Sequence, residues 1–383
     1  MSDPRRDETI DVMRAASIIV VVLFHYTSRI PENVMGLPDV EITDFFSFGW
    51  IGVYCFFIIS GYCIIGSAQR STSGLNFFIK RISRIYPPFI IISSFVFICM
   101  QFLYVPSFDY GEWSFRDDPV GILDYVATTF FMARDLGFEW VDGAYWTLLV
   151  EMKYYFILSL FLIAFQFRSA IKYLVVFAYV VNSIWLLSVL LESELLELVS
   201  RNVFVAPYWA FFILGMHGKD IRDGDKSRMI IVHYIMFSAL SLINLSLISM
   251  GKPNPTESVG ITVLFYILFL AWFNGYILTG LYGLRLPDSG KLVGLFIDAL
   301  ARVGKKSFIW YLIHQNLGIA LLYILFGVMN YWLAIFLVIA LGVVASEGLS
   351  WLVEHRFREF TQRQLTKLTT PIAGLLERRS AVR

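Results

Sequence analysis

The chain has 383 residues, of which 57% are hydrophobic and only 16% are charged, and its formal net charge at pH 7 is +1. A soluble domain is about 45–50% apolar and about 25% charged, so this composition excludes an ordinary soluble protein. Long apolar runs recur along the chain and predict a polytopic membrane protein in contact with membrane lipids, with no nucleic-acid partner. Cys55, Cys63 and Cys99 all fall in apolar runs, which argues against a disulfide framework.

The apolar runs predict an all-α polytopic membrane protein, a bundle of about ten transmembrane helices with cytoplasmic N- and C-termini. The polar start of the chain lacks a cleavage site, so we expect the first helix to remain. One transmembrane domain is expected over residues 1–360, followed by a basic cytoplasmic tail over 361–383. The predicted spans are 11–30, 49–67, 87–105, 145–166, 173–191, 202–217, 229–249, 259–281, 307–327 and 331–352.

The distribution of basic residues sets the predicted orientation. With a cytoplasmic N-terminus, 25 of the 31 Lys and Arg residues fall on the inner side and five fall outside, while Lys153 lies within a span. This asymmetry is typical of the positive-inside rule. The outward segments are acidic, and the longest of them, residues 106–144, is also rich in aromatic residues. That combination fits either a sugar-binding surface or an aromatic belt at the membrane interface.

Arg14 and His25 bracket the apolar run of the first predicted span. The spacing of eleven residues at 100° each brings both side chains to one helix face, about 16 Å apart along the axis. A titratable imidazole near mid-membrane is costly and favours a functional site, with a structural interhelical hydrogen bond as the alternative. Arg14 suits an anion such as a phosphate, and Asp11 is a candidate local ion-pair partner for it.

A second basic cluster precedes the third span in the segment FFIKRISRIYPP. Arg81 and Arg84 share a face if this piece is helical, and Pro87 and Pro88 are expected to begin the span. The cluster fits contact with lipid headgroups. Beside Arg14 at the same membrane face, it also fits a clamp for phosphate groups.

Two polar side chains lie inside predicted spans away from the first helix. Gly49, Gly52 and Gly61 permit close helix approach in the span that holds Ser60. Ser60 is a candidate nucleophile, but no base adjoins it in sequence and no GxSxG motif surrounds it, which favours a packing role. Glu151 lies about two turns into the fourth span, with Tyr154 and Tyr155 on the same helix face. A carboxylate at this depth favours a functional role over a structural hydrogen bond.

The remaining candidates lie around the ninth span. Residues 284–306 carry an apolar stripe opposite basic residues, which predicts an interfacial helix on the cytoplasmic leaflet. Ser307, Tyr311 and His314 follow on one helix face. His314 fits either a functional group or a helix–helix hydrogen bond.

Helix rise places four of these residues in a staggered polar column. His314 lies about 10 Å and His25 about 16 Å from the inner boundary where Arg14 sits, and Glu151 lies about 8 Å from the outer boundary. A phosphorylated donor could enter this column from below and an acceptor from above. A transporter of a glycan or acidic metabolite could use the same column, but the sequence shows no two related halves with paired broken helices.

Six segments in order along the chain resemble the acyltransferase 3 family of integral membrane acyltransferases. They are IDVMRAASIIVVVLFHY, GVYCFFIISGYCI, FFIKRISRIYPP, WTLLVEMKYYF, SFIWYLIHQ and WLVEHRFREF. Each motif alone is weak, whereas six in order are specific. By position, His25 resembles the essential first-helix histidine of the family and Arg14 its companion arginine. Arg81 and Arg84 match its RxxR element, and Glu151 matches the glutamate of its WSLxxE-like motif.

The resemblance implies transfer of an acyl group, usually acetyl, from acyl-CoA to a carbohydrate hydroxyl, with no permanently bound cofactor. We therefore expect acetyl-CoA as the donor and a cell-surface or secreted glycan, such as lipopolysaccharide or exopolysaccharide, or a lipid-linked saccharide as the acceptor. The expected location is the bacterial cytoplasmic membrane. The SGNH-type domain fused to some members does not occur in this sequence, so separate glycan-assembly proteins are candidate partners.

The resemblance also implies a set of site residues and no metal. The residues expected in catalysis are His25 and Glu151, and those expected to bind acyl-CoA are Arg14, Arg81 and Arg84. Roles in substrate binding or support are expected for Ser60, Tyr62, Trp146, Tyr155, Tyr311 and His314. Direct transfer and an acyl-enzyme on His25 are both open. A catalytically idle scaffold in a glycan-assembly complex is a further alternative.

Overall fold

The computed structural model of the chain describes residues 7–28, 46–103, 108–110, 113–115, 120–251, 255–282 and 291–353. The helices within them are α1 (Glu8–Thr27), α2 (Gly52–Gln69), α3 (Gly74–Met100), α4 (Ile122–Thr129), α5 (Trp146–Ala164), α6 (Phe167–Leu190), α7 (Glu194–Glu197), α8 (Trp209–Arg222), α9 (Arg228–Met250), α10 (Pro255–Leu281), α11 (Lys291–Ile313), α12 (Asn316–Phe326) and α13 (Tyr331–Val353). Between α3 and α4, the short strands β1 (Phe108–Tyr110) and β2 (Trp113–Phe115) pair antiparallel, with Phe108 opposite Phe115.

The all-α polytopic membrane fold is confirmed. Within the described ranges, eight helices are long and apolar enough to cross a membrane, and two bent pairs of helices raise the number to ten. Large apolar side chains such as Phe336 and Val344 of α13 are exposed, as expected of a helix that faces lipid. The predicted basic tail and most side chains of the long outward loop before residue 120 lie outside the described residues.

The third span begins earlier than the sequence indicated. Helix α3 starts at Gly74 and contains both Pro87 and Pro88, so the prediction that these prolines begin the span is wrong. Proline removes one helical N–H and crowds the preceding turn, but membrane helices tolerate it where neighbouring groups satisfy the backbone. Arg81 and Arg84 therefore lie on a continuous helix, which confirms that they share a face.

Two of the predicted spans, 202–217 and 307–327, are not single continuous helices. The segments Glu194–Val203 and Ala206–Arg222 meet at 60°, and Leu292–Ile313 meets Asn316–Phe326 at 78°. The helix predicted within 284–306 is present from Lys291 and continues without a break to Ile313, and its place at the cytoplasmic leaflet stays a prediction. Hydropathy reports how apolar a segment is but not the direction of its backbone, so neither bend was visible in the sequence.

The chain divides into two compact units. The first unit comprises Met1–Ile59, Ile90–Thr147 and Leu245–Ser350, and the second comprises Ser60–Phe89, Leu148–Asn244 and Trp351–Arg383. In the first unit, α1 and α11 pack side by side. A Cβ added at Gly304 of α11 would lie 1.7 Å from the carbonyl oxygen of Asp11, so this approach requires glycine.

In the second unit, the backbones of α2 and α8 also approach each other closely. A Cβ added at Gly61 would lie 2.0 Å from the carbonyl oxygen of Phe212. The ring of Tyr154 stacks on Phe212 with centroids 4.1 Å apart, and its hydroxyl donates to Sδ of Met216 at 3.0 Å. Tyr154 therefore belongs to the aromatic core of this unit.

Candidate active site

The first unit brings His25 of α1 against His314, which lies at the bend between α11 and α12. Nε2 of His314 is 3.3 Å from Nδ1 of His25, and the two rings meet edge-on with centroids 4.9 Å apart. Both residues are buried, with 7% of His25 and 1% of His314 exposed. Two of the four members of the predicted polar column are therefore in direct contact.

Backbone carbonyl groups fix the hydrogens of both imidazoles. His25 Nδ1 lies 2.8 Å from the Val21 carbonyl oxygen, and His314 Nδ1 lies 2.7 Å from the Tyr311 carbonyl oxygen. Because a carbonyl oxygen only accepts, this pattern assigns a hydrogen to each Nδ1 and a lone pair to each Nε2. Nε2 is thus the basic nitrogen of His25. A proton taken up there is stabilised through the ring by the acceptors beside Nδ1–H, namely Val21 and His314.

The bend that carries His314 exposes backbone groups, and tyrosine side chains from other elements bind them. The Tyr145 hydroxyl donates to the Leu312 carbonyl oxygen at 2.9 Å, and the Tyr26 hydroxyl donates to the His314 carbonyl oxygen at 2.8 Å. An unsatisfied backbone group inside a membrane costs several kcal/mol. These bonds therefore stabilise the bend and with it the position of the His314 ring.

Asp142 ties the start of α12 to the turn that precedes α5. Its side chain is completely buried, and its two oxygens accept from the N–H groups of Ala144 and Asn316, each at 2.9 Å. The Asn316 side chain donates to the Val141 carbonyl oxygen, also at 2.9 Å. Segments 174 positions apart in sequence are thereby joined beside the histidine pair.

Tyr311 belongs to the same network in the first unit. Its hydroxyl donates to the Ala144 carbonyl oxygen at 2.6 Å and lies 2.7 Å from Oγ1 of Thr147. Its ring lies beside that of His314, with centroids 5.2 Å apart. Trp146, the first residue of α5, is partly exposed. Tyr311 therefore lies against His314 of the predicted site. Trp146 precedes Thr147, whose hydroxyl contacts the hydroxyl of Tyr311.

Arg14 of α1 is held by Asp11, and the predicted local ion pair is confirmed. Nη1 of Arg14 lies 2.7 Å from Oδ1 of Asp11. The Asp11 side chain is completely buried, while 15% of the Arg14 side chain stays exposed. The carboxylate fixes the guanidinium on the helix, and an anion from solvent can still reach it.

The second unit holds a polar cluster around Glu151 of α5. Oε1 of Glu151 accepts from Ser60 Oγ at 2.7 Å and from the Tyr155 hydroxyl, and Ser60 Oγ lies 3.1 Å from the Tyr155 hydroxyl oxygen. Tyr155 is buried, whereas Ser60 and Glu151 are partly exposed. Of the two tyrosines predicted on this helix face, only Tyr155 contacts the carboxylate.

Arg81 of α3 lies within electrostatic reach of this cluster, close to both Glu151 and Tyr155. Its Nε atom is buried and has no hydrogen-bond partner among the residues that the structure describes. A buried guanidinium donor of this kind fits an anionic group of a ligand. Arg84, one turn further along α3, is exposed.

Tyr62, the last of the predicted support residues, lies two positions beyond Ser60 on α2. It is buried, and the amine of Lys219 lies 5.7 Å from the centroid of its ring. That geometry is a cation–π contact and gives Tyr62 a packing partner on α8.

The predicted residues fall into different units. His25, His314 and Arg14 belong to the first, and Glu151, Arg81 and Arg84 belong to the second. The predicted phosphate clamp that joins Arg14 to the RxxR pair, and the predicted cooperation of Glu151 with His25, stay predictions.

Sequence reasoning missed the role of Asp142, Tyr145 and Tyr26, whose hydrogen bonds stabilise the bend at His314. A signal existed for Asp142, because an aspartate just before an apolar run is typical of a helix N-terminus. Tyrosines near the ends of spans are common at membrane interfaces, so their sequence positions gave no sign of this role.

Comparisons with known proteins give three findings. A family model described as an acyltransferase domain matches residues 7–352. A protein of Shigella phage Sf6 named O-acetyl transferase is 27% identical over 212 residues, which are 52% of this chain. That match spans 56% of the length of the phage protein. No solved structure matches the chain.

Proposed function

We propose that this chain, which belongs to the acyltransferase 3 family, transfers an acyl group from acyl-CoA to a hydroxyl group of a glycan. The name of the phage relative supports acetyl as the acyl group and oxygen as the acceptor atom. The acceptor is a cell-surface or secreted glycan or a lipid-linked saccharide, and the protein works in the bacterial cytoplasmic membrane alongside glycan-assembly proteins.

The observation that carries this proposal is the fixed orientation of the His25 imidazole. With Nδ1–H bound by Val21 and His314, the lone pair lies on Nε2, which is the state that a general base requires. Nε2 takes the proton of the acceptor hydroxyl as that oxygen attacks the acyl carbonyl carbon. The imidazolium that forms is stabilised by the same two acceptors until it returns its proton.

Three arginines are assigned to the phosphate groups of acyl-CoA. The side chain of Arg14 is partly exposed and Arg84 is exposed, and Arg81 keeps a buried N–H donor without a partner among the described residues. Guanidinium groups bind phosphate oxygens through paired hydrogen bonds, which supports them over a purely lipid-facing role. Glu151 is the second catalytic group of the proposal.

The proposal is tested with the purified full chain in detergent, acetyl-CoA labelled in the acetyl group, and glycan isolated from cells. We expect label in the glycan with the wild-type protein and a loss of about 100-fold or more with His25→Ala, the range of general-base contributions. His233→Ala, which changes a histidine outside the proposed site, should transfer label at the wild-type rate.

Mass spectrometry of surface glycans from cells that express each variant identifies the acyl group and the modified sugar. Absence of both CoA release and label transfer in the wild-type protein would contradict the proposed enzyme and favour a transporter. Full glycan acylation in His25→Ala cells would favour a scaffold role.

A further inference from the structure

We propose that Ser60 is a nucleophile that carries the acyl group as an ester during the reaction. Its Oγ donates to Oε1 of Glu151 at 2.7 Å, a distance at which a carboxylate can take the hydroxyl proton. This inference rests on acyl-CoA as the donor in the proposed function and adds a covalent step to it.

The bond between Ser60 and Glu151 is unusual for a membrane-helix hydroxyl. Such hydroxyls commonly donate to a carbonyl one turn earlier on their own helix. Ser159 of α5 does this, donating to the Phe156 carbonyl oxygen at 2.7 Å, and Ser238 of α9 donates to the Tyr234 carbonyl oxygen at 2.8 Å. Ser60 instead binds a carboxylate on another helix, 91 positions away in sequence.

A third group orients the base. The Tyr155 hydroxyl donates to the same Oε1 atom of Glu151 and is itself buried, so it fixes the carboxylate toward Ser60. Nucleophile, base and orienting group are the three parts of an activated hydroxyl in many acyl-transfer enzymes. Ser60 and Glu151 are partly exposed, so a substrate carbonyl can reach the nucleophile.

Arg81 supplies the positive charge that this chemistry needs. Attack on a thioester carbonyl places negative charge first on the carbonyl oxygen and then on the departing sulfur. The guanidinium of Arg81 lies within electrostatic reach of Glu151 and Tyr155. Its buried Nε–H, without a partner in the described part of the chain, is a donor available to that charge.

The covalent step balances without a further reactant. Ser60 Oγ attacks the thioester carbonyl carbon, a C–O bond forms, and the C–S bond breaks. The serine proton passes to Glu151 and from there to the departing CoA sulfur. The acceptor hydroxyl then attacks the ester carbonyl carbon while the general base of the proposed function takes its proton. The bond between that carbon and Ser60 Oγ breaks, and Oγ takes a proton from solvent as the base releases its own.

The experiment traps the ester. The detergent-purified full chain is mixed with labelled acetyl-CoA without glycan, denatured in acid and digested, and the label is mapped by mass spectrometry. We expect acetyl on Ser60 in the wild-type protein and in His25→Ala, and none after Ser60→Ala. Glu151→Gln should slow labelling by about 100-fold or more. Ser159→Ala, the matched control on α5, should label at the wild-type rate.

A second variant guards against a folding defect in Ser60→Ala. The oxygen ester of the wild-type protein should resist neutral hydroxylamine, whereas the thioester formed in Ser60→Cys should be released by it. Label on Cys63 or His25 alone, or wild-type glycan transfer by Ser60→Ala, would overturn the inference while leaving the proposed function intact. Failure of the proposed function is different, because the wild-type protein would then neither release CoA nor transfer acetyl.

Discussion

His25 and His314 lie 289 positions apart in sequence, yet the function proposed for His25 depends on their contact. The Val21 carbonyl alone would fix the hydrogen on Nδ1 of His25. His314 adds a second acceptor, whose lone pair faces the same hydrogen and stabilises the charged ring. At the scale of single residues, His314 is therefore a positioning residue for the proposed base.

We expect His314→Ala to lower kcat for acetyl transfer by about 10- to 100-fold with little change in KM. One hydrogen bond to a charged group is worth about 1.5–3 kcal/mol, and about 1.4 kcal/mol corresponds to a tenfold rate change. Steady-state kinetics with labelled acetyl-CoA measures both constants. A loss confined to KM would show that His314 contacts substrate instead.

Element packing decides where the histidines meet. Helices α1 and α11 approach through Gly304, against which the Asp11 backbone lies, and the Tyr26 hydroxyl lies close to Gly318 on α12. The bend after Ile313 then directs α12 away from the axis of α11. A straight helix would carry His314 and the residues after it along one line, without the open carbonyl groups that Tyr26 and Tyr145 bind.

Gly304→Ala should destabilise the protein by about 1–3 kcal/mol, the usual cost of overpacking a close contact. The added Cβ would lie 1.7 Å from the Asp11 carbonyl oxygen, so α11 must move away from α1. Gly294→Ala on the same helix is the matched control, because a Cβ there meets nothing within 4 Å. Thermal unfolding in detergent should show a lower midpoint only for Gly304→Ala. Equal midpoints for the two variants would refute the packing role.

Asp142→Ala should weaken the bend and reduce acetyl transfer. It leaves the buried N–H groups of Ala144 and Asn316 without their acceptor, at about 1–3 kcal/mol for each group. Asp142→Asn keeps one acceptor oxygen, so its losses of thermal stability and activity should be smaller. If the alanine variant is as stable and as active as the asparagine variant, the carboxylate does not hold the bend.

At the scale of the whole molecule, the distribution of basic residues predicts the orientation of the protein in the membrane. The basic residues concentrate in alternate connections between spans, which predicts that the segment between α8 and α9 is cytoplasmic and the segment between α6 and α7 is outside. This orientation would place Arg14 and the RxxR pair on the side where acyl-CoA is found.

Single cysteines introduced into a cysteine-free background test that orientation. Asp225 and Glu192 are both exposed, in the first and second of these segments respectively. In intact cells, we expect a membrane-impermeant maleimide to label Glu192→Cys but not Asp225→Cys, and to label both after the membrane is opened. The reverse pattern would invert the predicted topology and separate the arginines from cytoplasmic acyl-CoA.

The sequence alone determined the properties that depend on local composition. Apolar content identified the membrane class and nearly every span, because a bilayer demands about 20 apolar residues per helix whatever the neighbouring helices do. Helix periodicity placed Arg14 beside Asp11 and Tyr155 beside Glu151, because residues three or four apart share a face.

Only the tertiary structure decided the contacts between distant segments and the direction of the backbone. The bend before α12 depends on Asp142, Tyr145 and Tyr26 satisfying its open groups, and these side chains come from elsewhere in the chain. Ser60 has no base near it in sequence, and only the packing of α2 near α5 brings Glu151 to its hydroxyl. Such contacts arise from the mutual fit of whole helices, which no local pattern encodes.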